Sequence, residues 1–113
     1  MEKEKYLPLG TVVLLKNAKK PMMILGYKTA PNSKEVYLNG KTQIAKDIYD
    51  YCGCVYPEGV VNSMYMCMFD HDQIDKILYM GYCDELYQNY KEKLKDDKEL
   101  QKYFLETFKN MSK

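Results

Sequence analysis

The chain has 113 residues, and its 17 basic side chains are nearly cancelled by 16 acidic ones, leaving a net charge of +1. That length fits a single domain with one core, and the near-neutral balance lacks the long-range positive field that draws in nucleic acid or an anionic membrane. No apolar run approaches the ~20 residues of a membrane span, and Met1-Glu2-Lys3-Glu4-Lys5 has no apolar signal-peptide core, so the expected location is the cytoplasm.

In chain order, Leu9-Gly10-Thr11-Val12-Val13-Leu14-Leu15-Lys16 is β-branched and apolar and reads as a first strand. The polar cluster Asn17 to Pro21 reads as a turn, and Met22 to Lys28 as the hairpin partner. Thr29 to Lys46 carries Pro31, Asn32, Ser33, Asn39 and Gly40 around the short apolar patch Val36-Tyr37-Leu38, which predicts a long surface loop or a weak edge strand. Ile48 to Tyr56 alternates and is closed by Pro57-Glu58-Gly59, giving a third strand. Ser63 to Phe69 gives a fourth, Asp70 is placed to cap a short helical turn, and Ile77 to Tyr82 gives the last. Five short strands with one helical turn before the last predict an α+β protein built on a small SH3-like, mostly antiparallel β barrel, over residues 5–83.

From Asp84 the periodicity becomes helical. Leu86, Tyr87, Tyr90 and Leu94 mark one stripe, and after the capping pair Asp96 and Glu99 a second stripe carries Leu100, Tyr103, Phe104, Phe108 and Met111. Residues 84–113 are therefore expected to form an amphipathic helical tail whose apolar stripes must be covered by the barrel or by a partner. Twelve tyrosines and no tryptophan fit rings at core edges or in an interface.

The search for chemistry is mostly negative. The glycines are scattered without a phosphate-binding loop, and His71 is the only histidine, with no serine in a nucleophile-elbow motif. Asp70, Asp72 and Asp75 lack the glycine and final glutamate of a calcium loop. Cys52 and Cys54 share a strand face, and with Cys67 and with Cys83 or His71 they could make a tetrahedral zinc site. Their one-residue spacing and apolar setting favour buried thiols instead. No enzyme activity and no cofactor are expected.

The blocks "LPLGTVVLLK", "YDYCGCVYPEG" and "FDHDQIDKI", in this order between about residues 5 and 95, resemble domain-of-unknown-function family 4176. The resemblance implies a cytoplasmic protein of Gram-positive bacteria, encoded near type VII secretion loci that export toxins with an N-terminal helical LXG domain. It implies an accessory or chaperone-like factor that binds that helical domain, and it brings no catalytic residues with it. The expected contact surface is the stripe Tyr87, Tyr90, Leu94, Tyr103, Phe104 and Phe108, joined by Tyr51 and Tyr56 at the barrel. Two alternatives stay open: an immunity protein that neutralises the toxic part of a co-encoded toxin, and a metal-binding protein built on the cysteines.

Overall fold

A computed structural model describes residues 4–31, 35–38, 41–44, 46–62 and 66–111. The chain divides into two compact units, Met1–Tyr82 and Cys83–Lys113.

The first unit is a five-stranded antiparallel sheet with a separate hairpin. Its strands are β1 (Val12–Leu15), β2 (Met22–Thr29), β5 (Tyr49–Val55), β6 (Cys67–Phe69) and β7 (Ile74–Tyr79), arranged in the order β6-β5-β2-β1-β7. All five are segments expected to be extended, though each is trimmed or shifted at its ends. The expected fourth strand begins at Ser63, and Ser63 to Tyr65 lie outside the described residues. The helical turn before the last strand is only the 3-10 turn His71–Gln73, and β7 starts immediately after it at Ile74. Over Thr29 to Lys46 the expected loop or single edge strand is instead a two-stranded hairpin, β3 (Glu35–Leu38) against β4 (Lys41–Ile44).

Among the described residues the sheet is open, because its end strands β6 and β7 pair on one side only. The expected closed barrel is not what these strands form. A three-residue β6 followed by a three-residue turn leaves little backbone with which to hydrogen-bond β7 across the gap.

The register explains the core. Val13 and Leu15 of β1, Met22 and Ile24 of β2, Tyr51 of β5, Phe69 of β6 and Ile74 of β7 fill one face, together with Leu7 from the segment before the sheet. Tyr51 stacks on Phe69 at 5.4 Å between ring centroids, so one tyrosine sits at the centre of the core and not at its edge. β5 can pass this close to β2 only because position 53 has no side chain: a Cβ there would lie 2.6 Å from the Met23 carbonyl oxygen and 3.2 Å from the Phe69 ring.

The second unit is a helical hairpin, α1 (Glu85–Leu94) and α2 (Asp97–Met111). Asp84 caps α1 by accepting the Tyr87 N–H at 2.9 Å. Asp96 does the same for α2, accepting from Lys98 N–H at 2.9 Å and Glu99 N–H at 3.4 Å. Two consecutive caps within thirteen residues force the break at Lys95-Asp96 and fold the second helix back on the first. Leu94 is buried in this unit, and Tyr90 meets Tyr103 and Phe104 with ring centroids 5.5 and 6.0 Å apart.

Candidate functional site

Two regions of the first unit concentrate side chains with functional potential. The first is polar. Tyr51 reaches through the core so that its hydroxyl accepts the backbone N–H groups of Tyr6 at 2.9 Å and Leu7 at 3.1 Å and lies 2.8 Å from His71 Nδ1. A phenol has one proton and two lone pairs. With both lone pairs engaged, the proton points to Nδ1, and the hydroxyl has no capacity left for another partner. Around this buried bond lies a cleft of about 260 Å³ lined by Lys5, Lys46, Asp50, Asp70, His71 and Asp72. Two of its three carboxylates are occupied: Asp50 accepts the His71 N–H at 2.9 Å and faces Lys5 at 3.5 Å, while Asp70 accepts the Asp50 N–H at 3.1 Å and pairs with Lys46; Asp72 is exposed. The Asp70 hydrogen bond holds the Lys46 ammonium above its ordinary range. Gln73 Oε1 accepts the Asp70 N–H at 2.7 Å and closes the 3-10 turn. Asp70 thus caps this turn as expected, and it also ties β5 to the turn.

The second region is apolar and lies on the face of the sheet away from the core. Cross-strand partners share a face, so the pairings Val12 with Tyr79, Val12 with Met23 and Met23 with Cys54 set Tyr79, Val12, Met23 and Cys54 in one row across β7, β1, β2 and β5. The register slips between Val12 and Val13, whose partners are Tyr79 and Ile77. Leu78 is the extra residue of that bulge and lines the same groove as Tyr79. The groove has a volume of about 460 Å³ and is completed by Gly10, Pro21 and Tyr56. Its rim stays open to solvent: Tyr56 is 45% exposed, Leu78 52% and Tyr79 67%.

The residues expected to contact a partner are dispersed among these environments. Tyr56 is on the groove rim, whereas Tyr51 is wholly buried and offers no surface. In the helical unit Leu94 is also buried, and the half-buried rings of Tyr90, Tyr103 and Phe104 pack on one another. Burial pushes the Tyr90 hydroxyl above its usual range. Tyr87 is half-buried with the Lys91 ammonium 5.5 Å from its ring centroid. Phe108, stacked on Phe104 at 5.8 Å, remains 56% exposed. Sequence reasoning missed Val12, Met23, Leu78 and Tyr79, because the row exists only once the register and its bulge are known. The run Leu78-Tyr79-Met80 at the end of a strand was the one available signal.

The cysteines do not converge. Cys67 pairs with Gly53, which lies between Cys52 and Cys54 on β5, so Cys67 faces the core while the other two face away from it. No group of three His, Cys, Asp or Glu among the described residues is placed to hold a metal ion. Burial raises the thiols of Cys54 and Cys67 above the ordinary range, and Cys83 is exposed. Native protein near neutral pH is therefore expected to show one fast-reacting thiol of its four, measured with a chromogenic disulfide reagent, and Cys83→Ser is expected to abolish that phase. Fast reaction of two or more thiols would contradict the packing of β5 and β6.

Residues 6–90 match the family model described as a domain of unknown function, DUF4176. The chain belongs to the DUF4176 family. The DUF4176 match takes in the whole sheet, the apolar groove and the polar cleft apart from Lys5, and ends inside α1, so α2 lies beyond it. No curated protein and no solved structure matched this DUF4176 chain. None of its helices among the described residues is long and apolar enough to cross a membrane.

Proposed function

We propose that this DUF4176 protein is a non-catalytic, cytoplasmic protein-binding factor, an accessory or chaperone-like partner for the helical N-terminal domain of a type VII secreted LXG toxin. The observation that carries the binding part is the apolar groove on the outer sheet face, where Leu78, Tyr79 and Tyr56 stay exposed although the core is already filled by the opposite face. Aromatic rims around a shallow apolar floor are the common composition of a protein-binding patch. The non-catalytic part is supported by the saturation of the Tyr51 hydroxyl and by the pairing of Asp50 and Asp70, which commit the buried hydroxyl and two of the three carboxylates of the polar cleft to structural bonds and leave only the exposed Asp72. The secretion context comes from the family resemblance. The strand order, with β7 returning beside β1 after a 3-10 turn, supports reading the sheet as an SH3-like barrel opened between β6 and β7.

The groove reading predicts that Leu78→Ser combined with Tyr79→Ser changes unfolding stability by only about 0.5 kcal/mol per site, as exposed positions do. The same pair is expected to weaken capture of the toxin at least about tenfold, equivalent to ~1.4 kcal/mol. Titration of the co-encoded toxin by calorimetry checks this. Unchanged affinity in a folded double variant would remove the groove from the proposal.

A further inference from the structure

The helical unit has a face that its own packing does not use. On α2 the rings of Tyr103, Phe104 and Phe108 cluster with Tyr90 of α1. Away from them, Lys98, Lys102, Leu105 and Lys109 follow an i, i+4, i+7, i+11 course, one straight stripe about 16 Å long at the rise of an α-helix. Gln101 and Phe108 stand four residues before and three after Leu105 and border it. Lys98, Gln101, Lys102, Leu105, Glu106 and Lys109 line a shallow groove of about 470 Å³ along this face. All six are exposed, and Leu105 is 73% exposed where an ordinary solvated face would carry a polar residue.

We propose that this face of α2 docks an amphipathic helix of a partner protein whose apolar seam is flanked by acidic residues. The proposal rests on the protein-binding reading above and deepens it by giving the partner a shape and a charge. The shape follows from spacing: Gln101, Leu105 and Phe108 follow one another at i, i+4, i+7 over about two turns of one helix, the pattern that a second helix meets with its own i, i+4, i+7 positions. The charge follows from three lysines against the single acid Glu106. Each rim pair is individually weak, but the set of three selects a partner with acidic flanks over one with basic flanks.

A second copy of this chain is the wrong occupant. Antiparallel two-fold packing through this stripe pairs Lys98 of one copy with Lys109 of the other at both ends, and parallel packing sets each lysine beside its own counterpart. An anionic membrane or a nucleic acid fits poorly as well, since Glu106 sits among the lysines and would face phosphate.

The test places a photocrosslinking amino acid at position 105 of the full chain in the producing cell and maps the crosslinked peptide by mass spectrometry. The expected adduct lies on a helix with Asp or Glu flanking its apolar seam. It falls at least tenfold in Lys98→Glu/Lys102→Glu/Lys109→Glu and returns when the partner's flanking acids are changed to lysine. An adduct on the LXG helical domain upholds both this proposal and the toxin reading. An adduct on an acid-flanked helix of some other protein, with the same charge-swap behaviour, upholds this proposal and overturns the toxin reading. An adduct to a second copy, to a basic or non-helical segment, or none at all would overturn it, as would one indifferent to the charge reversals. Circular dichroism of the triple variant is expected to match the parent, because all three lysines are exposed.

Discussion

Tyr51→Phe is expected to lower the unfolding free energy by about 4 kcal/mol, although it removes a single oxygen atom. The oxygen serves three groups: the Tyr6 and Leu7 N–H donors and His71 Nδ1, all at 3.1 Å or less. Tyr6, Leu7 and His71 are buried, so no solvent replaces the lost partner. An orphaned buried donor or acceptor costs about 1–3 kcal/mol, and about 4 kcal/mol for the three together is between about a quarter and four-fifths of the ~5–15 kcal/mol that keeps a small domain folded. For a chain of this size the melting temperature is expected to drop by roughly 15 °C. Tyr27→Phe is the control, because its hydroxyl gives one bond to the Leu7 carbonyl at 2.6 Å from a half-buried ring; about 1 kcal/mol is expected there. Urea unfolding of both variants checks the pair. Equal losses would mean that the Tyr51 hydroxyl is not the clasp described above.

Gly81→Ala is expected to cost about 3 kcal/mol or to abolish folding. A Cβ at position 81 would fall on the Leu9 carbonyl oxygen and come within 2.8 Å of the Thr11 nitrogen, and both obstacles are backbone. The strand cannot simply move aside, because the Gly81 N–H is held at 2.9 Å by the hydroxyl of the fully buried Thr11, and the Thr11 carbonyl accepts the Ile24 N–H at 2.9 Å. Overpacking against such a braced site falls at the upper end of the usual 1–3 kcal/mol. Gly59→Ala is the comparison: it has open space and only a left-handed φ of 80° to strain it, so about 1 kcal/mol is expected. Thermal unfolding of the two variants separates steric from conformational strain, and a milder effect at position 81 than at 59 would contradict the close approach of β7's end to the start of β1.

Much of this fold was legible in the residues because local signals and global structure agree. The turn at Asn17 to Pro21, the strand pattern of Ile48 to Tyr56 and the caps at Asp70, Asp84 and Asp96 each act within a few residues, so their consequences can be read from spacing alone. The hairpin of β3 and β4 is not evident from the segment as a whole, because Pro31, Asn32 and Ser33 are loop formers, although Asn39-Gly40 is the pair that favours two-residue hairpin turns. Tyr51 was misassigned to the surface because an alternating strand does not say which of its faces meets the core until its neighbours are known. The Leu78 bulge, and with it the groove, depends on pairing between β1 and β7 across some sixty residues, which no local pattern encodes. Only part of the helical stripe expected to be covered is buried: Leu94 is buried and the rings of Tyr90, Tyr103 and Phe104 pack on one another, whereas Leu86 is 78% and Phe108 56% exposed, and Leu105 adds an exposed position that the stripe did not include.

The central claim, that this chain binds the helical half of a secreted toxin without catalysing a reaction, is tested most directly by titrating the purified full chain with the two halves of the co-encoded toxin separately. The account predicts saturable, one-to-one binding of the N-terminal helical half, weakened by Leu78→Ser/Tyr79→Ser, and no heat with the toxic half. Binding confined to the toxic half would make it an immunity protein, and binding to neither would contradict the account.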